Sequence, residues 1–223
     1  MTMFDLHILG TSGSRPTMSR SVSGNYLSTP SGSIVIDCGE GFQNRLMDHE
    51  LNLKNNPIGI RARVSKIKLI LLTHSHFDHC WGIPPFLKTM QLDGRTKPLT
   101  IIAPTTIDAI NWAKNNYGKQ IPVDSKINPS DFAFLFKEWK NHIEHNINKN
   151  SFPIKWVLIP VDDLNPIDLP FQPLEDIQIS AIPTLHTVTS VGWLISTKGK
   201  NIRKILVSGD TKKNVPSFNQ KSL

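Results

Sequence analysis

No apolar run in this chain approaches the roughly 20 residues that a membrane-spanning helix needs, so no membrane partner is expected. Cysteine is almost missing: Cys38 and Cys80 are the only two in 223 residues. Two thiols make no disulfide framework, which argues against a small secreted scaffold and fits a reducing cytoplasm. Cys80 directly follows His79, and a packed thiol is the role expected for it. The opening segment MTMFDLHILG lacks the charge and apolar pattern of a secretory leader; it carries an acid and moves straight into alternation. Internal repeats and low-complexity linkers are also missing. Residues 1–223 therefore read as a single domain, large enough to bury a core.

Acidic residues are in short supply, 18 against 25 Lys and Arg, giving a net charge of +7 and a pI near 9.5. The imbalance is local. From Lys198 to Leu223 there are seven basic residues against the single acid Asp210, whereas Val161 to Leu185 holds five acids and no Lys or Arg. A basic stretch near a metal site attracts polyphosphate or nucleic acid. Charge alone, however, favours a solvated Asn- and Lys-rich surface. With 39% hydrophobic and 19% charged residues, the composition is that of a globular protein.

Alternation over Met3–Leu9 predicts a half-buried strand, followed by a loop at Gly10–Pro16. Tyr26–Ser28 and Ser33–Asp37 read as two strands joined by a turn at Thr29–Gly32, with a short helix over Phe42–His49 after them. Ile67–Leu72 is an apolar run with the character of a buried strand, Leu99–Ala103 another, and Thr105–Asn115 a helix. Asp131 is placed to cap a helix carrying Phe132, Leu135, Phe136, Trp139 and Ile143 on one face. Trp156–Val161, Ile177–Ile182, Val191–Ser196 and Ile202–Val207 read as four further strands. Strand followed by helix, repeated, predicts an α/β architecture.

The chemistry concentrates at Leu72-Thr73-His74-Ser75-His76-Phe77-Asp78-His79. Three histidines and an aspartate fall within six residues at the end of an apolar run. If the strand continued, His74 and His76 would share one face, and Asp78 and His79 would point into the same space from the loop. Imidazole and carboxylate suit zinc, manganese or iron. Two later strands end in the same way, one at Pro183-Thr184-Leu185-His186 and one at Ser208-Gly209-Asp210-Thr211. His142 and His145, three apart near a predicted helix end, lack a carboxylate cluster and read as solvated histidines stabilised by the helix dipole.

These motifs resemble the metallo-β-lactamase superfamily, whose signature is His-x-His-x-Asp-His, and within it the ribonuclease Z branch of tRNA 3′-end-processing endonucleases. Gly10–Thr17 resembles that branch's first loop, Asp37-Cys38-Gly39-Glu40-Gly41-Phe42-Gln43 its Asp-Cys-Gly-Glu-Gly-x-Gln motif, and Gly82–Leu87 its helix entry. His186 with Gly192-Trp193, and Gly209-Asp210-Thr211, match its last two motifs here. The resemblance implies a four-layer αββα sandwich with two Zn2+ sites. His74, His76 and His186 would hold one ion, Asp78 and His79 the second, and Asp210 would bridge them. Asp78 would take or orient the proton of the attacking water, so that a metal-bound hydroxide removes the 3′ trailer of precursor tRNA. Asp37 and Glu40 would orient histidines or form turns. Mn2+ or Fe would suit the same donors, and a homodimer is expected from relatives and from an unfinished sheet edge.

Two departures shape the expectation. The family pattern continues with a further histidine, yet the thirteen residues after Asp210 contain none; the second site is therefore expected to be short of a ligand and the C-terminal half of the fold truncated. Bacterial relatives also place a long tRNA-gripping arm before Gly-Asp-Thr, where only 24 positions separate His186 from Asp210 in this chain. The alternatives are a small-molecule phosphodiesterase, for instance on cyclic nucleotides, or an inactive metal- or RNA-binding domain.

Overall fold

Alternate residues of the central strands point to two different cores, and that division organises the molecule. The computed structural model describes residues 4–55, 62–116, 118–146 and 152–212, with backbone only at 144–146. Among these residues the chain runs β1 (Asp5–Ser12), β2 (Ser21–Val22), β3 (Gly24–Thr29), β4 (Gly32–Cys38), α1 (Phe42–Asn55), β5 (Ile67–Leu71), α2 (Phe77–Cys80), α3 (Ile83–Leu92) and β6 (Leu99–Thr105). It continues with α4 (Ile107–Asn115), α5 (Phe132–Asn146), β7 (Ile154–Pro160), β8 (Ile167–Asp168), β9 (Ile177–Pro183), β10 (Val191–Thr197) and β11 (Lys204–Val207). Seven strands form one sheet in the order β2-β1-β3-β4-β5-β6-β7, and four form a second in the order β11-β10-β9-β8. The first sheet is parallel from β4 to β7; the second is antiparallel throughout.

Period-two side-chain direction explains the layers. Tyr26, Val35, Ile70 and Ile101 face α1, α3 and α5, joining Phe42, Leu46, Phe86, Met90, Phe132 and Trp139 in one core. Leu27, Ile34, Ile36, Leu69, Leu71 and Ile102 face the second sheet and pack on Ile177, Ile179, Ala181, Val191, Trp193 and Ile195. Helices, large sheet and small sheet are thus three stacked layers of the α/β sandwich; the outermost helical layer of the expected four is not among the described residues. No helix among them is long and apolar enough to cross a membrane.

Most predicted elements form, with shifted ends. The first helix runs on to Asn55 because Leu53 continues its apolar contacts beyond His49. The helix expected from Thr105 begins at Ile107, since Thr106 stays extended and its hydroxyl accepts the Ala109 N–H as a cap. Asp131 caps α5 as predicted, accepting the Ala133 N–H at 2.8 Å and the Thr105 hydroxyl at 2.5 Å. The last strand starts at Lys204, two residues late, and the two-residue strands β2 and β8 are too short to leave a periodic signal.

On the helical side of β1, His7 Nδ1 lies 2.8 Å from His49 Nε2 of α1, with the rings edge-on. Burial, and then the neighbouring His49, depress His7; burial depresses His49. Both groups bind protons less readily folded than unfolded, so the stability they contribute is present above the unfolded value of 6.5 and lost as pH falls below it toward the folded values. Urea midpoints measured between about pH 7.5 and about pH 5.5 are expected to decline less steeply for His49→Gln than for the wild type. Identical slopes would refute the assignment.

Candidate metal centre

Four strands deliver the donors, and all four end at the same edge of the sandwich. β4 carries Asp37 as its penultimate residue, β5 leads into His74–His79, β9 into His186, and β11 into Asp210. In open sheets with parallel strands, this carboxyl edge is where ligands bind. The expected strand face shared by His74 and His76 does not exist, because β5 stops at Leu71 and residues 72–76 are irregular. The two histidines meet nonetheless, their rings 4.7 Å apart, since the irregular segment turns both side chains inward. Asp78 and His79 sit on the single helical turn α2 rather than in a loop.

The turn is held in place by backbone contact. Gly82 donates its N–H to the Cys38 carbonyl at 2.8 Å, and a Cβ on Gly39 would sit 2.0 Å from the Asp78 carbonyl oxygen and 2.5 Å from Val22 Cγ2. Only glycine permits that approach. Gly39→Ala must displace α2 and is expected to destabilise by about 3 kcal/mol, the upper end for overpacking, read as a fall in urea midpoint. A second close approach lies across the site: Gly209 adopts φ +59, and a Cβ there would meet Thr73 Oγ1 at 2.6 Å.

Beneath the histidines lies Asp37, fully buried and with φ +60, a region that aspartate tolerates better than most residues. Its carboxylate accepts the Thr73 N–H at 2.8 Å, the Thr73 hydroxyl, the Ser23 hydroxyl at 2.9 Å and His79 Nδ1–H at 2.7 Å. Burial alone would raise this carboxyl, but the His79 charge and these donors more than offset it and hold it below the usual range. The same pairing acts on His79, where burial is outweighed by Asp37, Asp78 and Asp210, so His79 is held above its ordinary value. With Nδ1 committed to Asp37, His79 turns Nε2 toward Asp78 Oδ2 at 3.6 Å and Asp210 Oδ1 at 3.5 Å. The orienting role expected of Asp37 is therefore visible; Glu40 is exposed and makes no hydrogen bond among the described residues.

The remaining histidines converge. His76 Nδ1 lies 3.1 Å from His74 Nε2 and 3.1 Å from His186 Nε2. Neutral imidazole has one N–H, so three ring nitrogens this close cannot all be satisfied by one another. Tetrahedral coordination at Zn–N near 2.0–2.1 Å would set such nitrogens about 3.3 Å apart. Among the described residues two triplets have donor atoms mutually within 4.8 Å: His74, His76 and His186, and His74, His79 and Asp210. His74 belongs to both. Burial, and then His79, depress it to about 3, so the ring is neutral and its lone pair available at neutral pH. Burial and His76 likewise depress His186. Donor type and spacing fit a divalent ion, and the lowered His74 and His186 keep lone pairs available for it.

Asp78 is in neither triplet. Its Oδ2 accepts the Ser14 N–H at 2.7 Å, where Ser14 stands at φ +58 in the first loop. Sequence reasoning missed Ser14 and Thr73, because a backbone N–H and a bridging hydroxyl have no sequence signature. It also missed Trp193 as a clamp: buried in β10, it donates Nε1–H to the Leu72 carbonyl at 3.0 Å, tying the end of β5 to the second sheet. Cys38 and Cys80 are buried, unpaired thiols whose titration burial pushes up, as expected of packed cysteines. His142 is exposed and in neither triplet, and the His145 side chain lies outside the described residues. So does the basic stretch beyond Lys212.

Comparison with known proteins agrees with this geometry. The chain is 30% identical over 194 residues to ribonuclease Z of Pseudomonas putida, covering 86% of this chain and 46% of that protein. It is 42% identical over 108 residues to ribonuclease Z of Clostridium novyi, covering 48% and 31%. The chain thus spans less than half the length of these curated relatives. Human tRNase Z, short form, superposes with a TM-score of 0.62 at 24% identity, over 92% of this chain and 68% of that one. A metallo-beta-lactamase fold protein of Bacillus subtilis, YhfI, does so with a TM-score of 0.53 at 16% identity, over 92% and 61%. The sequence profile of the Metallo-beta-lactamase superfamily matches residues 22–219. On that match, and on two sheets whose edges bring the histidines together, the chain belongs to the metallo-β-lactamase superfamily and resembles its ribonuclease Z members.

Proposed function

We propose that this chain, as one domain over residues 1–223, is the metal-binding part of a phosphodiester hydrolase of the ribonuclease Z kind, acting on the 3′ trailer of precursor tRNA in the cytoplasm. The convergence of His74, His76 and His186 beside His79 and Asp210 carries the reading. His74, His76 and His186 would hold one ion, His79 and Asp78 the second, and Asp210 would lie between them, with zinc the leading candidate and manganese or iron also suited. Bound there, divalent ions supply Lewis-acid polarisation of a phosphoryl oxygen and lower the pKa of a coordinated water to about 7.

The chain's own residues do the rest. Asp37 fixes the His79 tautomer so that Nε2 carries the lone pair. Ser14 pins Asp78 through Oδ2, leaving Oδ1 without a partner among the described residues and able to accept a proton from the attacking water. Burial of His74 keeps its nitrogen unprotonated.

One observation favours a second reading. The interval between His186 and Asp210 is filled by β10 and β11, an ordinary antiparallel hairpin, leaving no room for the relatives' tRNA-gripping arm. A smaller phosphodiester is the substrate that arrangement suits. The two readings separate in one experiment: zinc- or manganese-loaded protein is given a precursor tRNA with a 3′ trailer and, separately, a cyclic nucleotide and bis(p-nitrophenyl) phosphate. Cleavage at the trailer junction supports the first, and cleavage of only the small esters the second. Failure to hydrolyse any of them in a protein that retains bound metal would defeat both.

A further inference from the structure

A cavity of about 690 Å³ opens at the opposite end of the large sheet, where β4, β5 and β6 begin. Five cations line it: Arg63, Lys66, Lys68, Arg95 and Lys97. Among the described residues no carboxylate does, and none of the five pairs with an acid. Acids stand at its margins: Asp176 is hydrogen-bonded to Ser31 N and Oγ, while Glu50 and Asp93 line a neighbouring cavity that shares Arg95 and Lys97 with this one. Uncompensated like charges repel, and gathering them in one concave site raises the local potential for an anion.

Arg95 differs from the other four. It is half-buried, and its donors are spent on the carbonyls of Val64, Ile67, Lys97 and Pro98, with the guanidinium 5.2 Å from the centre of the Phe152 ring. It contributes a fixed positive field rather than a direct contact. Lys66, Lys68, Lys97 and Arg63 are exposed and keep donors for a ligand, and Thr100 adds a hydroxyl. The volume falls within the range of small-ligand sites, and the lining is polar and cationic. The donors spread from the start of β5 to the residues preceding β6, and four exposed cations beside Arg95 exceed the charge of about −1.5 to −2 that one phosphate group carries.

We infer that this cavity binds two or more linked phosphate groups, at a site separate from the metal centre. The five residues of β5 alone put roughly 16 Å between the two. The phosphates could belong to a free nucleoside polyphosphate or to the backbone of an RNA chain. Neither source depends on the hydrolase reading, because no histidine or aspartate of the metal centre lines the cavity.

The test is titration calorimetry on the full metal-loaded chain with inorganic tripolyphosphate, a nucleoside triphosphate and a short single-stranded oligoribonucleotide. Three proteins are compared: wild type, Lys66→Gln/Lys97→Gln, and His76→Ala. The double variant is expected to bind tripolyphosphate at least tenfold more weakly, with unchanged melting temperature and metal content, while His76→Ala keeps wild-type affinity at this site. Tenfold weakening confined to the oligoribonucleotide would equally support the site and assign its phosphates to RNA. Equal affinity in wild type and double variant, or binding abolished in His76→Ala and retained in the double variant, would overturn the inference and place the anion on the metal ions.

Discussion

Replacing His74 by alanine is expected to empty the metal centre and to lower phosphodiester turnover by at least ~10³-fold, about 4 kcal/mol of barrier. The reason is its position. His74 is the fully buried donor of the triplet with His76 and His186, and its ring also packs 4.0 Å from that of His79, a donor of the second ion. The His186 ring stands against those of His74 and His76, on the side of the first ion. His186→Ala should therefore lose metal from the first group and retain it in the second, a partial loss where His74→Ala removes a first-ion ligand and the packing that seats His79. Metal content by mass spectrometry, measured beside turnover, distinguishes the two variants. Because His74 is fully buried, His74→Gln, which nearly preserves volume, serves as the control for collapse of the fold. Wild-type metal stoichiometry in His74→Ala would overturn the assignment of His74 as a ligand.

Asp37→Ala is expected to cost about 3–5 kcal/mol of stability, the range for stripping a buried charge of its partner. Three things are lost together. The Thr73 N–H and His79 Nδ1–H are left as buried donors, and the Ser23 hydroxyl loses its acceptor. Alanine must also hold φ near +60, a conformation that disfavours a β-carbon without a compensating local hydrogen bond. Asp37→Asn makes the sharper test of function, since asparagine tolerates that backbone and matches the shape. Its amide can satisfy fewer donors and can itself donate to His79 Nδ1, moving the imidazole proton to Nε2, the nitrogen that faces Asp78 and Asp210. A loss of about 10–100-fold in metal affinity, the usual effect of removing such a supporting group, is expected at near-native stability. Unchanged affinity would show that Asp37 is a structural anchor only.

These expected effects also mark how far the sequence could be read. The histidine-rich stretch was legible because its donors are contiguous: His74, His76, Asp78 and His79 need no tertiary knowledge to be grouped. His186 and Asp210 were legible for a different reason, each following an apolar strand at the point where chain polarity changes. The first expectation about geometry failed at the same place. Spacing suggested a strand face for His74 and His76, but β5 ends at Leu71, because the Leu72 carbonyl is claimed by Trp193 and the Thr73 carbonyl by the Val191 N–H. Pairing with β10 ends there what local propensity would have continued.

The cationic cavity was not legible at all. Its charges come from two segments, 63–68 and 95–97, each ordinary for a surface, whereas the most one-sided basic run of the sequence is the stretch after Lys198. Parallel pairing of β5 with β6 sets the two segments side by side, so strand register created a charge density that composition could not reveal.

By itself the sequence determined the alternation that separates two cores, the order of strands and helices, and the residue types able to bind a divalent ion. Only the tertiary structure decided that His186, 110 residues after His76, would bring its Nε2 within 3.1 Å of that ring. It alone decided too that Asp37, Thr73 and Ser14 would fix the remaining donors. The physical reason is that donor chemistry is a property of each side chain, whereas convergence depends on where separate strands end. Those ends are set by sheet pairing and packing between layers, which no local stretch of chain contains.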